Sequence, residues 1–266
     1  MYQYGSNVEP LLAQLVRGQR EALGDTHVGS YLFGSVVTGD FEPGVSDVDT
    51  IAVLGADLSP SERSSLHELH RDIVKQWPEW DDRVEVVYVS RAALETFRTV
   101  RSPAARISPG EPFHAIEVDD RWLIDWYQLR EIGVPLVGPP ATSVVPHISH
   151  DDYVEAVRRH VIEAPSWVDE LRTQGAQAYA ILTMCRGLRT SRTGEYVSKR
   201  EAARWASDVL PAHASTIHDA LIWRTQSRAG DAKDGIATQV ATRGFVMDVV
   251  QLVLDDDRRA GGSTGG

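Results

Sequence analysis

Two acids two residues apart, Asp47 and Asp49, stand at the head of the strand-like run Val48 to Leu54. Strand side chains alternate, so both project from one face, where carboxylates this close repel each other unless a cation lies between them. Upstream, the run Val28 to Phe33 leads directly into Gly34-Ser35. A Gly-Ser turn leaving a strand offers backbone N–H groups and a hydroxyl to an anion at the start of the next helix, as a phosphate cradle does. Carboxylate oxygens suit Mg²⁺, which keeps several waters and accepts phosphate oxygens as its remaining partners, so a nucleoside triphosphate would complete such a site. A third acid, Glu85, lies in mid-strand between Val84 and Val86-Val87, where an idle carboxylate is costly. If its strand lies beside that of Asp47 and Asp49, the three acids converge. Such a cluster can hold one or two metals and take a proton from an attacking hydroxyl, which is what nucleotidyl transfer requires.

The elements that must position these residues follow from pattern. Leu11, Leu12, Leu15, Val16 and Leu23 recur at helical spacing and predict an opening amphipathic helix. Strands are expected over 28–33 and 48–54, separated by the turn-rich stretch 40–44. Ser59-Pro60-Ser61-Glu62 has the form of a helix start, with Ser59 as N-cap and Glu62 returning a bond to it; Trp77-Pro78 closes that helix. A strand over 83–89, a short helix capped by Ser90, a weaker strand over 113–118, a helix over 121–132 and a brief extended segment over 134–140 complete an α/β half with a mixed sheet. From Ser149 onward strand signals fade and helical patterns take over, with Ser198 and Glu201 repeating the capping arrangement before Ala202. The chain is therefore expected to form two domains: 1–148, α/β (α+β), and 149–258, an all-α bundle, with a flexible tail over 259–266.

Composition removes several classes of function. The 266 residues carry 27 Lys and Arg against 38 Asp and Glu, a formal net charge of -11. That is the wrong sign for holding long nucleic acid through counterion release, and it favours encounter with small cationic ligands. Hydrophobic residues at 42% with 8% aromatics exclude a disordered chain. The single Cys185 forms no internal disulfide and, among Ala, Ile, Leu and Met, is expected to pack in a core. Neither an export signal nor a membrane span is expected, which suits the reducing cytoplasm. Oligomeric state has no signature here.

The run Gly34-Ser35, a turn of fixed length, then Ser46-Asp47-Val48-Asp49 leading into Ile51-Ala52-Val53-Leu54, with an acid in a later strand, resembles the motif of the nucleotidyltransferase superfamily that includes DNA polymerase beta. Three further segments narrow the likeness: Gly133 to Pro139; Leu182 to Arg186 with Thr193-Gly194 and Ser198-Lys199; and Ala203 to Ala206 before Leu210-Pro211. Together they resemble the aminoglycoside nucleotidyltransferases, which adenylylate streptomycin and spectinomycin. The resemblance implies that Gly34, Ser35 and Ser46 touch the nucleotide, that Asp47 and Asp49 bind metal, and that Glu85 is metal ligand or general base. It also implies that Arg186 and Lys199 reach the triphosphate from the helical domain, and that Trp167 helps to hold the acceptor. Ser166 stands where that family tends to place Asp, and Tyr179 where Asn is expected, with Asp169 and Glu170 nearby to supply charge.

The function so implied is Mg²⁺-dependent transfer of AMP from ATP to a hydroxyl of an aminoglycoside or aminocyclitol, with release of pyrophosphate. Two alternatives remain at this stage: the same chemistry on a protein or another small acceptor, and a nucleotide-binding regulator without turnover. Three clustered acids argue against the last, because a module that only binds nucleotide has little use for them.

Overall fold

The computed structural model describes residues 5–226 and 233–262. The chain divides into two compact units, Met1–Ile148 and Ser149–Gly266.

The first unit runs α1 (Gly5–Leu23), β1 (His27–Phe33), α2 (Ser35–Thr38), β2 (Val48–Leu54), α3 (Pro60–Gln76), β3 (Val84–Ser90), α4 (Arg91–Thr96), β4 (Ser102–Ser108), β5 (Glu111–Val118), α5 (Leu123–Ile132) and β6 (Val134–Val137). Its six strands form one mixed sheet in the order β5-β4-β3-β2-β1-β6. Only β2 and β3 pair parallel; every other neighbour pair is antiparallel. A parallel pair needs a crossover, and α3 supplies it. Its start is set as the sequence implied: the Ser59 hydroxyl accepts from the Glu62 amide while the Glu62 carboxylate accepts from the Ser59 amide at 2.8 Å. Leu66, His70 and Ile73 form its buried face. Leu66 and Ile73 join Leu11, Leu15, Leu32 and Val86 in one apolar core beneath the sheet.

β4 is the strand that local pattern did not announce, because Pro103 and two alanines make Ser102 to Ser108 a poor strand former. Flanking strands impose it. Ala104 to Ile107 pair with β3, whereas the exposed Pro103 lies beyond that pairing, where its missing N–H does no harm.

The second unit contains α6 (His150–Glu163), α7 (Gln174–Thr193), α8 (Lys199–Val209), α9 (Ala214–Gln226) and α10 (Gln239–Gly262). α7 is central, with twelve buried residues along its length, and Leu182, Leu188, Ile217, Phe245 and Val249 build the core around it. Cys185 is fully buried there, and burial pushes its thiol up to about 12, so it packs rather than reacts. Residues 259–262 of the expected tail are helical instead, since extending a formed helix costs little and Arg258 and Arg259 suit its C-terminal dipole. Residues 263–266 lie outside the described residues. Among the described residues no helix is long and apolar enough to cross a membrane.

Candidate active site

Strand register decides what meets what. Parallel pairing of β2 with β3 sets Asp49 opposite Glu85, and antiparallel pairing with β1 sets the same Asp49 opposite Phe33, the residue before Gly34. Asp47 precedes β2 by one residue, and its charge acts on Glu85. The conditional step in the sequence reasoning, that the two acid-bearing strands be neighbours, is met.

Gly34 is needed for two reasons. Its φ of 69° and ψ of -149° fall in a region that L side chains essentially never adopt. A Cβ there would also run into the Asp49 carboxylate, which lies against the Gly34 backbone. The chain then makes the single turn α2, closed by the amides of Val37 and Thr38 on the Gly34 carbonyl and ended by Gly39 at φ 76°. Ser35 thus opens a short turn directly beside Asp49. Ser46 is buried, and its hydroxyl accepts from the Glu42 amide at 3.0 Å, while the amides of Val45 and Ser46 bond the Glu42 carbonyl. Arg83 Nη2 donates to the Ser46 carbonyl at 2.6 Å. In this arrangement Ser46 clasps the loop that delivers Asp47 and Asp49.

Among the described residues, the Glu85 carboxylate has one hydrogen-bond partner. Arg106 Nη2 donates to its Oε1 at 3.0 Å, with the two side chains 29% and 23% exposed. Burial pushes the Glu85 carboxyl above the usual carboxylate range; Arg106 opposes that shift, and the charges of Asp47 and Glu111 add to it. Arg106 Nη1 lies 3.8 Å from Glu111 Oε2, and the guanidinium sits 5.8 Å from the centre of the Trp122 ring, which stacks on Trp126. Sequence reasoning missed Arg106 because it missed β4. The only available signal was an arginine among small residues, too common to single out.

Among the described residues no three His, Cys, Asp or Glu side chains are grouped so as to hold one ion. The donor set is therefore a strand-end pair, Asp47 and Asp49, with Glu85 alongside and bonded to Arg106. Mg²⁺ is compatible with such a set, because it takes one or two carboxylates and completes its shell with water and substrate phosphates. The missing Cβ of Gly34 is what lets the Asp49 carboxylate lie against the backbone at the start of the turn that carries Ser35.

The second unit carries the remaining residues. Lys199 is the first residue of α8, behind the N-cap Ser198, whose hydroxyl accepts from the Glu201 amide at 3.1 Å. A cation at a helix N-terminus opposes the helix dipole; here the ammonium lies 4.3 Å from the centre of the exposed Tyr179 ring, a compensating contact. Arg186 lies seven residues after Tyr179 on α7, hence on the same face, and its guanidinium sits 5.6 Å from the Tyr196 ring centre. Trp167 is half-buried against the helical core, with its ring centre 6.4 Å from that of His160. Desolvation, then the charge of Arg186, lowers the His160 pKa. Asp169 is engaged by Arg243 Nε at 3.0 Å.

Comparison with known proteins agrees with this fold. Residues 16–104 match the nucleotidyltransferase domain and residues 143–243 match the aminoglycoside adenylyltransferase C-terminal domain. Spectinomycin 9-adenylyltransferase of Staphylococcus aureus strain Mu50 is 26% identical over 238 residues, spanning 85% of this chain and 88% of the relative. Aminoglycoside (3'') (9) adenylyltransferase of Escherichia coli is 25% identical over 248 residues, spanning 88% and 90%. In fold the chain is similar to spectinomycin adenyltransferase AAD(9) from Enterococcus faecialis, crystallised with ATP and spectinomycin. The TM-score is 0.72 at 18% identity, over 91% of this chain and 99% of that one. A mixed sheet bearing acids in register on β2 and β3, matched by a nucleotidyltransferase domain, makes this chain a nucleotidyltransferase enzyme. It also carries the aminoglycoside adenylyltransferase C-terminal domain, and over most of its length it is similar to aminoglycoside and spectinomycin adenylyltransferases.

Proposed function

We propose that this enzyme transfers AMP from ATP to a hydroxyl of an aminoglycoside or aminocyclitol of the spectinomycin and streptomycin class, releasing pyrophosphate. The observation that carries the reading is the register that sets Asp49 beside Glu85, with Asp47 at the head of the same strand. Asp47 and Asp49 would hold Mg²⁺, which when bound offsets charge on the phosphate oxygens. Glu85, whose carboxyl burial holds above its ordinary range, accepts the proton of the acceptor hydroxyl. The hydroxyl oxygen then attacks the α-phosphorus in line, and the bond to pyrophosphate breaks.

Gly34, Ser35 and the loop held by Ser46 cradle the nucleotide, while Arg186 and Lys199 supply positive charge to the triphosphate. Trp167 offers an aromatic surface to the acceptor. A net charge of -11 draws a polycationic acceptor, so affinity falls as salt rises. The names of the relatives, which act on spectinomycin or carry the (3'') (9) designation, support that acceptor class.

The test is mass spectrometry of spectinomycin and of streptomycin after incubation with protein, ATP and Mg²⁺. A gain of one adenylyl group on either supports the reading. Nucleotide binding with neither drug modified overturns the acceptor assignment and directs the search to proteins or other small molecules.

A further inference from the structure

Arg106 lies between two carboxylates and beside an indole ring. Its Nη2 is 3.0 Å from Glu85 Oε1 and its Nη1 is 3.8 Å from Glu111 Oε2, with the Trp122 ring centre 5.8 Å away. Strand register accounts for the reach. Arg106 pairs with Val87, which shares a face of β3 with Glu85, so a long side chain on β4 meets Glu85 diagonally. Glu111 is held in turn: it stands opposite Ser108 across β4 and β5, and the Ser108 hydroxyl donates to its Oε2 at 3.2 Å. Arg106 Nε is buried without an acceptor, so the two Nη groups do the holding. Among the described residues, no hydrogen bond reaches Glu85 Oε2.

We propose that Arg106 is a positioning residue for Glu85, holding Oε1 so that Oε2 is the oxygen that takes the acceptor's proton. The assignment rests on the reading of Glu85 as general base. In the step so described the acceptor O–H bond breaks and its proton passes to Oε2. The freed oxygen pair forms the bond to the α-phosphorus, and the electron pair of the broken α–β phosphoanhydride leaves with pyrophosphate. A carboxylate that swings freely presents either oxygen at many angles; one pinned at Oε1 presents Oε2 along a single direction. Displacement of a reacting group by about 1 Å is enough to lose ~10²-fold in rate. Lysine would retain the charge but not the fork that spans Glu85 and Glu111.

The experiment compares Arg106→Gln, Arg106→Lys, Glu111→Gln and Glu85→Gln with the wild type in two ways: steady-state kinetics with spectinomycin, ATP and Mg²⁺, and crystal structures showing where the Glu85 carboxylate lies. Arg106→Gln is expected to lower kcat by ~10²-fold with KM for ATP little changed, and Arg106→Lys to recover part of that loss. Combined with Glu85→Gln, the Arg106 change should lower activity no further, because a positioning residue has nothing left to position. Glu85 should be displaced in the Arg106→Gln crystals and closer to its wild-type place in Arg106→Lys. Should Arg106→Gln fail to fold, Arg106→Lys and Glu111→Gln answer the same question through partial loss of kcat and a shifted Glu85.

The proposal is overturned if Arg106→Gln keeps the wild-type kcat, if its effect adds fully to that of Glu85→Gln, or if Glu85 stays in place without Arg106. Full activity of Glu85→Gln would instead remove the general-base reading, and wild-type protein inert toward spectinomycin would remove the acceptor. In that last case the crystals alone decide for or against Arg106.

Discussion

The acids of the first unit and the cations of the second are placed by different physics. Asp49 and Glu85 sit on adjacent strands, so their separation is set by backbone hydrogen bonds, and a one-residue slip of β3 would send Glu85 to the other face. Lys199 and Arg186 are instead the ends of long, flexible side chains, steered by the faces of Tyr179 and Tyr196. Proton transfer tolerates little displacement, whereas charge neutralisation of a triphosphate tolerates more. The strand-borne groups should therefore fail abruptly on substitution and the helix-borne ones by degrees.

The severest break in that contrast is Asp49→Asn, expected to lower turnover by ~10³-fold or more. Thermal stability should hold or rise, because the change removes repulsion with Asp47. Calorimetric melting beside steady-state kinetics checks both halves; near wild-type turnover would remove Asp49 from the chemistry.

A second measurement concerns the core under the same sheet. His70 is buried, accepts or donates a bond with the Tyr88 hydroxyl at 2.9 Å, and stacks on Phe113. Burial pushes its pKa down from 6.5 to about 3. Below pH 6.5 the unfolded chain binds a proton that the folded chain refuses, so stability should fall from about pH 6.5 to about pH 3 and change little further through this group. At about 1.4 kcal/mol per unit this is on the order of 5 kcal/mol in total. Urea titrations across that window should show a shallower slope in His70→Gln.

On the helical side, Lys199→Ala should weaken ATP binding by ~1.5–3 kcal/mol, as loss of one charge-assisted contact does, while a remaining cation keeps binding measurable by titration calorimetry. The smallest effect is expected for Tyr179→Leu, ~0.5–2 kcal/mol on the same titration, since the ring steers Lys199 without replacing it. If Tyr179→Leu proves as damaging as Asp49→Asn, the distinction between rigid and steered groups fails.

The sequence disclosed this architecture unevenly, and the reasons are local. β2 over Val48–Leu54 and the Ser59 cap of α3 were legible because each carries its own signal in adjacent residues. Spacing also marked Asp47, Asp49 and Glu85 as an apparatus, but it could not say that β2 and β3 are neighbours, which is a property of the whole sheet. β4 was illegible for the same reason in stronger form: its residues disfavour a strand, and only pairing with β3 and β5 makes one. Arg106 was lost with it. The contacts of Lys199 and Arg186 with tyrosine rings were equally invisible, since they depend on where helices pack rather than on sequence spacing.

The parallel pairing of β2 with β3 also orders events in time. Asp49 and Glu85 meet only after the stretch from Gly55 to Arg83 has closed on itself, a loop whose closure costs about 3 kcal/mol in chain entropy before any strand contact offsets it. α3 within that stretch gains its backbone bonds from residues close in sequence and forms early, whereas non-local strand pairing is slow. During refolding, helical signal should thus return ahead of enzymatic competence, and the interval between the two measures the closing of this one crossover.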